Sequence, residues 1–127
     1  MREAFPIYGS GGFTSSSDQQ LQEQFSGWAA QGIPRVKMKI GRDPQGDLQR
    51  VAAAREAIGS EVELFVDANS AYAREQALYY TQRFAGEYDV RWMEQPLDPE
   101  DVDGMAWLRE VGPAHIDIAD GAYGYGL

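Results

Sequence analysis

The sequence predicts an α/β fold of parallel strands joined by helical crossovers, about four βα units followed by a fifth strand. Three observations carry that prediction. Short strand-like runs alternate with longer segments of helical periodicity along the chain. Equivalent strand positions recur at near-constant spacing: Ile7 to Lys37 is 30 residues, Lys37 to Asp67 is 30, Asp67 to Glu94 is 27 and Glu94 to Asp120 is 26. Crossovers of that length leave strands parallel and connect them right-handedly. No long linker interrupts the series, so residues 1–127 read as one domain. An open doubly wound sheet and part of a β/α barrel both satisfy the pattern. A complete barrel takes about 250 residues in eight units, and 127 residues are about half of that.

The elements follow in order. The first strand-like run is Pro6–Tyr8. Gly9–Ser17 begins like a phosphate loop, but Thr14 stands where the third glycine of G-x-G-x-x-G belongs, so it reads as a flexible loop leaving that strand. Leu21, Phe25, Trp28 and Ala29 form the first helical stripe, opened by Ser17 with Gln20 in capping-box spacing and stopped at Gly32. Arg35–Ile40 is the second strand, with Val36, Met38 and Ile40 on one face and Lys37 and Lys39 on the other. Leu48, Val51, Ala52 and Ile58 mark a helix ending at Gly59, and Val62–Asp67 is the third strand. Ala77, Tyr80, Thr81 and Phe84 mark a helix ending at Gly86, followed by strand Val90–Glu94 and a turn stopped by Pro96. Val102, Met105, Trp107 and Leu108 make the last helix, between Asp98-Pro99 and Gly112-Pro113. His115–Ala119 closes the series as the fifth strand, with His115 a structural residue, and the segment Gly121–Gly126 suggests no chemistry.

Composition removes several classes of function. Twenty acidic residues against 11 basic ones leave a net charge of −9, which suits neither a nucleic-acid backbone nor an anionic membrane surface. There is no cysteine, which excludes disulfides, thiolate zinc sites and cysteine nucleophiles, and a single histidine excludes multi-histidine metal motifs. The sequence shows neither a bilayer-spanning apolar run nor a signal peptide, so the expected setting is cytoplasmic.

The charged residues at strand ends carry the chemistry. Helices cover the aliphatic face of a parallel sheet, so Lys37 and Lys39 face the other side, where an ammonium is costly without a partner or a task. The third strand ends with Asp67 and Asn69 on one face, and the fourth ends with Glu94. Parallel α/β folds place active sites at the carboxyl ends of their strands. Two carboxylates converging there suit a hard cation such as Mg²⁺, commonly held by one or two carboxylates with water and substrate. Neighbouring lysines and a nearby cation lower a lysine's pKa, making one lysine a general base near neutral pH while the metal stabilises a growing oxyanion. Alternating lysines also suit a solvated strand face, and a terminal Asp or Asn a helix N-cap. Asp67 is relieved of that role because Asn69 or Ser70 can cap instead.

Taken together, Lys37-Met38-Lys39-Ile40-Gly41, Val66-Asp67-Ala68-Asn69 and Trp92-Met93-Glu94-Gln95-Pro96 resemble the enolase superfamily, within it the mandelate racemase-like and muconate-lactonizing-like enzymes. The resemblance runs from about Pro6 to Tyr125 and covers the first five strands of that family's barrel. It implies half of a TIM-type barrel lacking the capping domain and the later strands. It implies Lys39 as the base that removes an α-proton, Lys37 as its electrostatic partner at the substrate carboxylate, and Asp67 and Glu94 as magnesium ligands. The implied reaction is proton abstraction next to a carboxylate, as in racemisation, acid-sugar dehydration or cycloisomerisation, on a small carboxylate substrate. The family's third ligand is a glutamate after a glycine; here Gly121 precedes Ala122, and Asp120 lies two residues earlier, about 6–7 Å away along a strand. Asp120 and Asn69 are therefore expected as substrate-binding or supporting residues. With one ligand and the opposing acid/base strands missing, weak or no activity is expected. Open sheet edges predict a homodimer or higher oligomer, and a non-catalytic half barrel that self-associates is the alternative. A flavodoxin-like sheet binding phosphate ranks below both for want of an anion loop.

Overall fold

The computed structural model describes residues 9–120. In chain order these form β1 (Gly9–Gly11), α1 (Asp18–Ala30), β2 (Arg35–Lys39), α2 (Pro44–Ile58), β3 (Glu63–Asp67), α3 (Arg74–Tyr88), β4 (Val90–Glu94), α4 (Val102–Val111) and β5 (Asp117–Ala119). All five strands are parallel and lie in the order β1-β2-β3-β4-β5. A doubly wound sheet reverses its strand order at a switch point, and this one does not. Right-handed crossovers that always step the same way put every helix on one face. The architecture is that of a partial TIM-type barrel.

The alternation read from β2 is what divides the faces. Val36 and Met38 are fully buried and join Leu64, Val66, Val90 and Met93 against Leu21, Phe25, Val51, Phe84 and Leu108 of the helices. Val90 and Met93 are three residues apart, yet both enter this core. The register shifts between Leu64 and Phe65, whose partners are Val90 and Trp92, so Arg91 is an extra residue on β4. That irregularity also turns Trp92 and Glu94 to the opposite face, beside Phe65 and Asp67.

Helix ends follow their local chemistry. The Ser17 hydroxyl accepts the Gln20 N–H at 3.1 Å and the Gln20 side chain accepts the Ser17 N–H at 2.9 Å, a complete capping box. Asp101 caps α4 through the Gly104 N–H at 3.0 Å. Neither Asn69 nor Ser70 caps α3, which starts after Ala73. No helix among the described residues is long and apolar enough to cross a membrane.

Several expectations are corrected. Pro6–Tyr8 and Gly121–Gly126 lie outside the described residues. Gly9–Gly11, read as a loop, is a strand paired with Val36–Met38. Its glycines reflect close packing: a Cβ on Gly9 would lie 2.5 Å from the Trp28 ring, and one on Gly11 2.7 Å from the Gln24 amide oxygen. Helix α3 runs through Gly86 to Tyr88, because Asp89 takes the left-handed stop at φ 53°. On α2 the buried position is Ala54 rather than Ala52, and Val102 on α4 is 70% exposed. The fifth strand starts at Asp117, while His115 sits with ring Nε2 3.3 Å from the Ala85 carbonyl.

Candidate functional site

The face turned from the helices carries its side chains in layers set by the register. At the amino end Arg35 pairs with Glu63 at 3.2 Å. The next layer brings Lys37, Phe65, Trp92 and Asp117 side by side, with the Phe65 and Trp92 rings 5.9 Å apart. The carboxyl-end layer is Lys39, Asp67, Glu94 and Ala119. The residues singled out at three strand ends therefore do share one sheet edge.

Their contacts are specific. Lys39 Nζ donates to Asp67 Oδ2 at 2.8 Å and to Asn69 Oδ1 at 3.4 Å, while Asp67 Oδ1 accepts the Asn69 N–H at 3.0 Å. Lys37 Nζ reaches past β3 to Glu94 Oε1 at 2.7 Å. The Asp67 side chain is only 4% exposed and that of Glu94 14%, so each carboxylate is compensated where solvent is scarce. The two ammonium groups are turned to different carboxylates. Of the two, Lys39 is the more accessible, 29% against 12%. A recess of about 220 Å³ lined by Thr14, Gly41, Arg42 and Asn69 among others opens at the same edge.

Asp67 and Glu94 are register partners on adjacent strands and point to one face, a donor pair that fits magnesium's preference for one or two carboxylates. Among the described residues no group of three or more Asp, Glu, His or Cys residues could hold a metal ion. Asp120 is not brought to the pair. It is exposed beyond β5 and follows the parity of Ile118, the register partner of the core residue Met93. Ala122 lies outside the described residues.

Two features escaped the reading of strand ends. Lys37 and Lys39 are the chain's only lysines, the other nine cations being arginines. Lysine is the cation that can shed its proton, so this count is a signal the sequence held. The second is backbone: Asn69 at φ 50°, Ser70 at φ 67° and Gln95 at φ 47° take left-handed conformations directly after the carboxylate strands. Hydrogen bonds hold them there, Ser70 N–H to Gln95 O at 2.7 Å and Gln95 N–H to Ala119 O at 2.7 Å. Such strain concentrates at functional edges. Asn69 tolerates this region by type, but nothing in the sequence marks Gln95.

Comparison with known proteins identifies the family. Residues 20–127 match the model of the enolase C-terminal domain-like family. D-galactarolactone cycloisomerase of Agrobacterium fabrum is 34% identical over 128 residues, covering 98% of this chain and 33% of that protein. A mandelate racemase/muconate lactonizing enzyme-like protein from Rubrobacter xylanophilus is 57% identical with a TM-score of 0.87, covering 90% of this chain and 32% of that one. A racemase from Streptomyces coelicolor solved with bound magnesium is 33% identical with a TM-score of 0.75, covering 83% and 29%. The chain spans about a third of the length of these relatives. The sheet order, the edge that gathers lysines and carboxylates, and the family match agree: the chain belongs to the enolase superfamily, among its mandelate racemase/muconate lactonizing members.

Proposed function

We propose that this chain carries the first half of a site that abstracts a proton next to a carboxylate with the help of magnesium. The observation that supports it most is the cross-strand pair Asp67 and Glu94, each bonded to one of the chain's two lysines at the carboxyl edge of a parallel sheet. In this reading Asp67 and Glu94 hold the metal. When bound, magnesium stabilises the negative charge that grows on the substrate's carboxylate oxygens. Lys39, nearer the edge and more accessible, accepts the α-proton at Nζ. Asn69 aims Lys39 through the contact to its side-chain oxygen. Lys37, one layer deeper, contributes positive charge beneath the substrate carboxylate.

The substrate is a small carboxylate, and the reaction is a racemisation, cycloisomerisation or acid-sugar dehydration. We infer weak or no turnover by this chain, because Ala122 stands where the resemblance expects the glutamate that is the third ligand. The test is calorimetric titration of magnesium near pH 7 beside an Asp67→Ala variant, with deuterium exchange at the α-carbon of hydroxy acids. Binding lost in Asp67→Ala and exchange lost in Lys39→Ala are the expected results. Equal heats from both proteins would overturn the metal site.

The two sheet edges favour a second reading. β1 and β5 each have a single strand neighbour, and the Phe65–Trp92 face has no helix over it among the described residues. In this reading the chain is a half-barrel module that pairs with a second copy.

A further inference from the structure

One buried carboxylate takes no part in the chemistry proposed above. Asp47, in the first turn of α2, is 1% exposed, and Tyr72, in the loop after β3, is 4% exposed. The Tyr72 hydroxyl donates to Asp47 Oδ2 at 2.5 Å. The Gly41 N–H is shared by both Asp47 oxygens, at 3.2 and 3.1 Å. Gly41 is two residues beyond Lys39, and Tyr72 is five beyond Asp67. Tyr72 also donates its backbone N–H to the carbonyl of Pro96, two residues beyond Glu94, at 3.1 Å. The carboxylate and the phenol thus connect the turns after β2 and β3, and the Tyr72 backbone reaches the turn after β4.

The cost of this arrangement argues for a task. Burial is the main influence on the Asp47 carboxyl and raises it, against the bonds from Tyr72 and Gly41 that favour its charge. The Tyr72 hydroxyl is held well above the usual phenol range, by its own burial first and by Asp47 next. An apolar side chain would fill the volume without that penalty. What the carboxylate adds is geometry: donors on two loops converge on one planar acceptor. The turns after β2 and β3 approach closely at this point: Gly41 sits at φ +99° and a Cβ there would lie 2.6 Å from the Ala71 Cβ and 2.7 Å from the Ala68 oxygen.

We propose that Asp47, acting through Gly41 and Tyr72, is a positioning residue that holds the turns after β2 and β3 so that Lys39 stays on Asp67 and Asn69. The proposal rests on the reading of those three residues as site residues, but its test does not use turnover or magnesium. Because Lys37 and Lys39 are the only lysines, lysine-selective ¹³C/¹⁵N labelling gives one signal set for each, assigned with Lys37→Arg. Tyr72→Phe deletes one hydroxyl, and Asp47→Asn keeps the shape without the charge. In both variants, well below melting and with dispersed amide spectra, the Lys39 ε-carbon and ammonium signals move to the positions of free lysine and ammonium hydrogen exchange speeds up about tenfold. The Lys37 signals stay in place. Unchanged Lys39 signals in a folded variant with a lowered melting temperature would overturn the proposal, leaving Asp47 a fold residue only. Equal movement of both lysines would overturn it too, as general loosening. If Asp47→Asn does not fold, Tyr72→Phe decides. Equal magnesium heats from the wild type and Asp67→Ala would overturn the proposed metal site while leaving this result standing.

Discussion

Removing the Asp67 carboxylate takes from the Lys39 ammonium its nearest partner. Truncating one member of a buried pair costs several kcal/mol, but Lys39 is 29% exposed and water recovers part of the loss. Asp67→Ala is therefore expected to lower unfolding stability by about 2 kcal/mol in urea titrations. Asp47 titrates in the opposite sense to a salt-bridged carboxylate. Burial lifts it above its ordinary 3.8, so the folded chain holds that proton more tightly than the unfolded chain. Its contribution to stability is full below 3.8 and falls as pH rises through the folded value. Denaturation midpoints measured upward from about pH 3.5 should fall with pH more steeply, or rise less, in the wild type than in Asp47→Asn. The two lysines and Asp67 were legible in the sequence because period-2 alternation assigns a face without further information. Glu94 was legible only as a strand-end carboxylate, since alternation from the core residue Val90 would turn it toward the helices and the extra residue Arg91 turns it back. Asp47 was not, because an acid in the first turn of a helix normally serves the helix dipole in solvent. Its burial depends on a tyrosine 25 residues away in sequence.

At the scale of elements, the helices were the easiest to read. Ser17 and Gln20 announce α1 through a local, reciprocal pair of hydrogen bonds that needs no tertiary context. Ser17→Ala should cost about 1 kcal/mol by chemical denaturation, with helical signal lost from the first turn. Strand β1 was hidden for the opposite reason. Its three residues have no apolar pattern, and what makes them a strand is backbone pairing with Val36–Met38, with the Trp28 ring of α1 close against Gly9. Gly9→Val should push that ring away and release the pairing of Gly9–Gly11 with Val36–Met38, seen as faster amide exchange in β1 and the Val36–Met38 segment with β4 protection unchanged. The end of α3 was misplaced because two residues compete to stop it. Glycine is the usual stop, but Asp89 sits where the strand must turn, and Gly86 remains helical.

At the scale of the molecule, the strand order follows the chain order and leaves both outer strands half-paired among the described residues. The self-association reading predicts that light scattering reports a dimer at micromolar concentration and that the unfolding midpoint rises with protein concentration. A concentration-independent monomer would sink that reading. The same strand order governs how the fold is reached. Every strand pairs with the one made just before it, so no contact between strands waits for a distant segment, and contact order stays low for a parallel sheet. Each βα unit can settle on its predecessor as the chain emerges from the ribosome. The Lys39–Asp67 bond then closes when the third strand docks, and the Lys37–Glu94 bond, which spans β3, closes one unit later as a clasp over it. The site is assembled in the order in which it is translated.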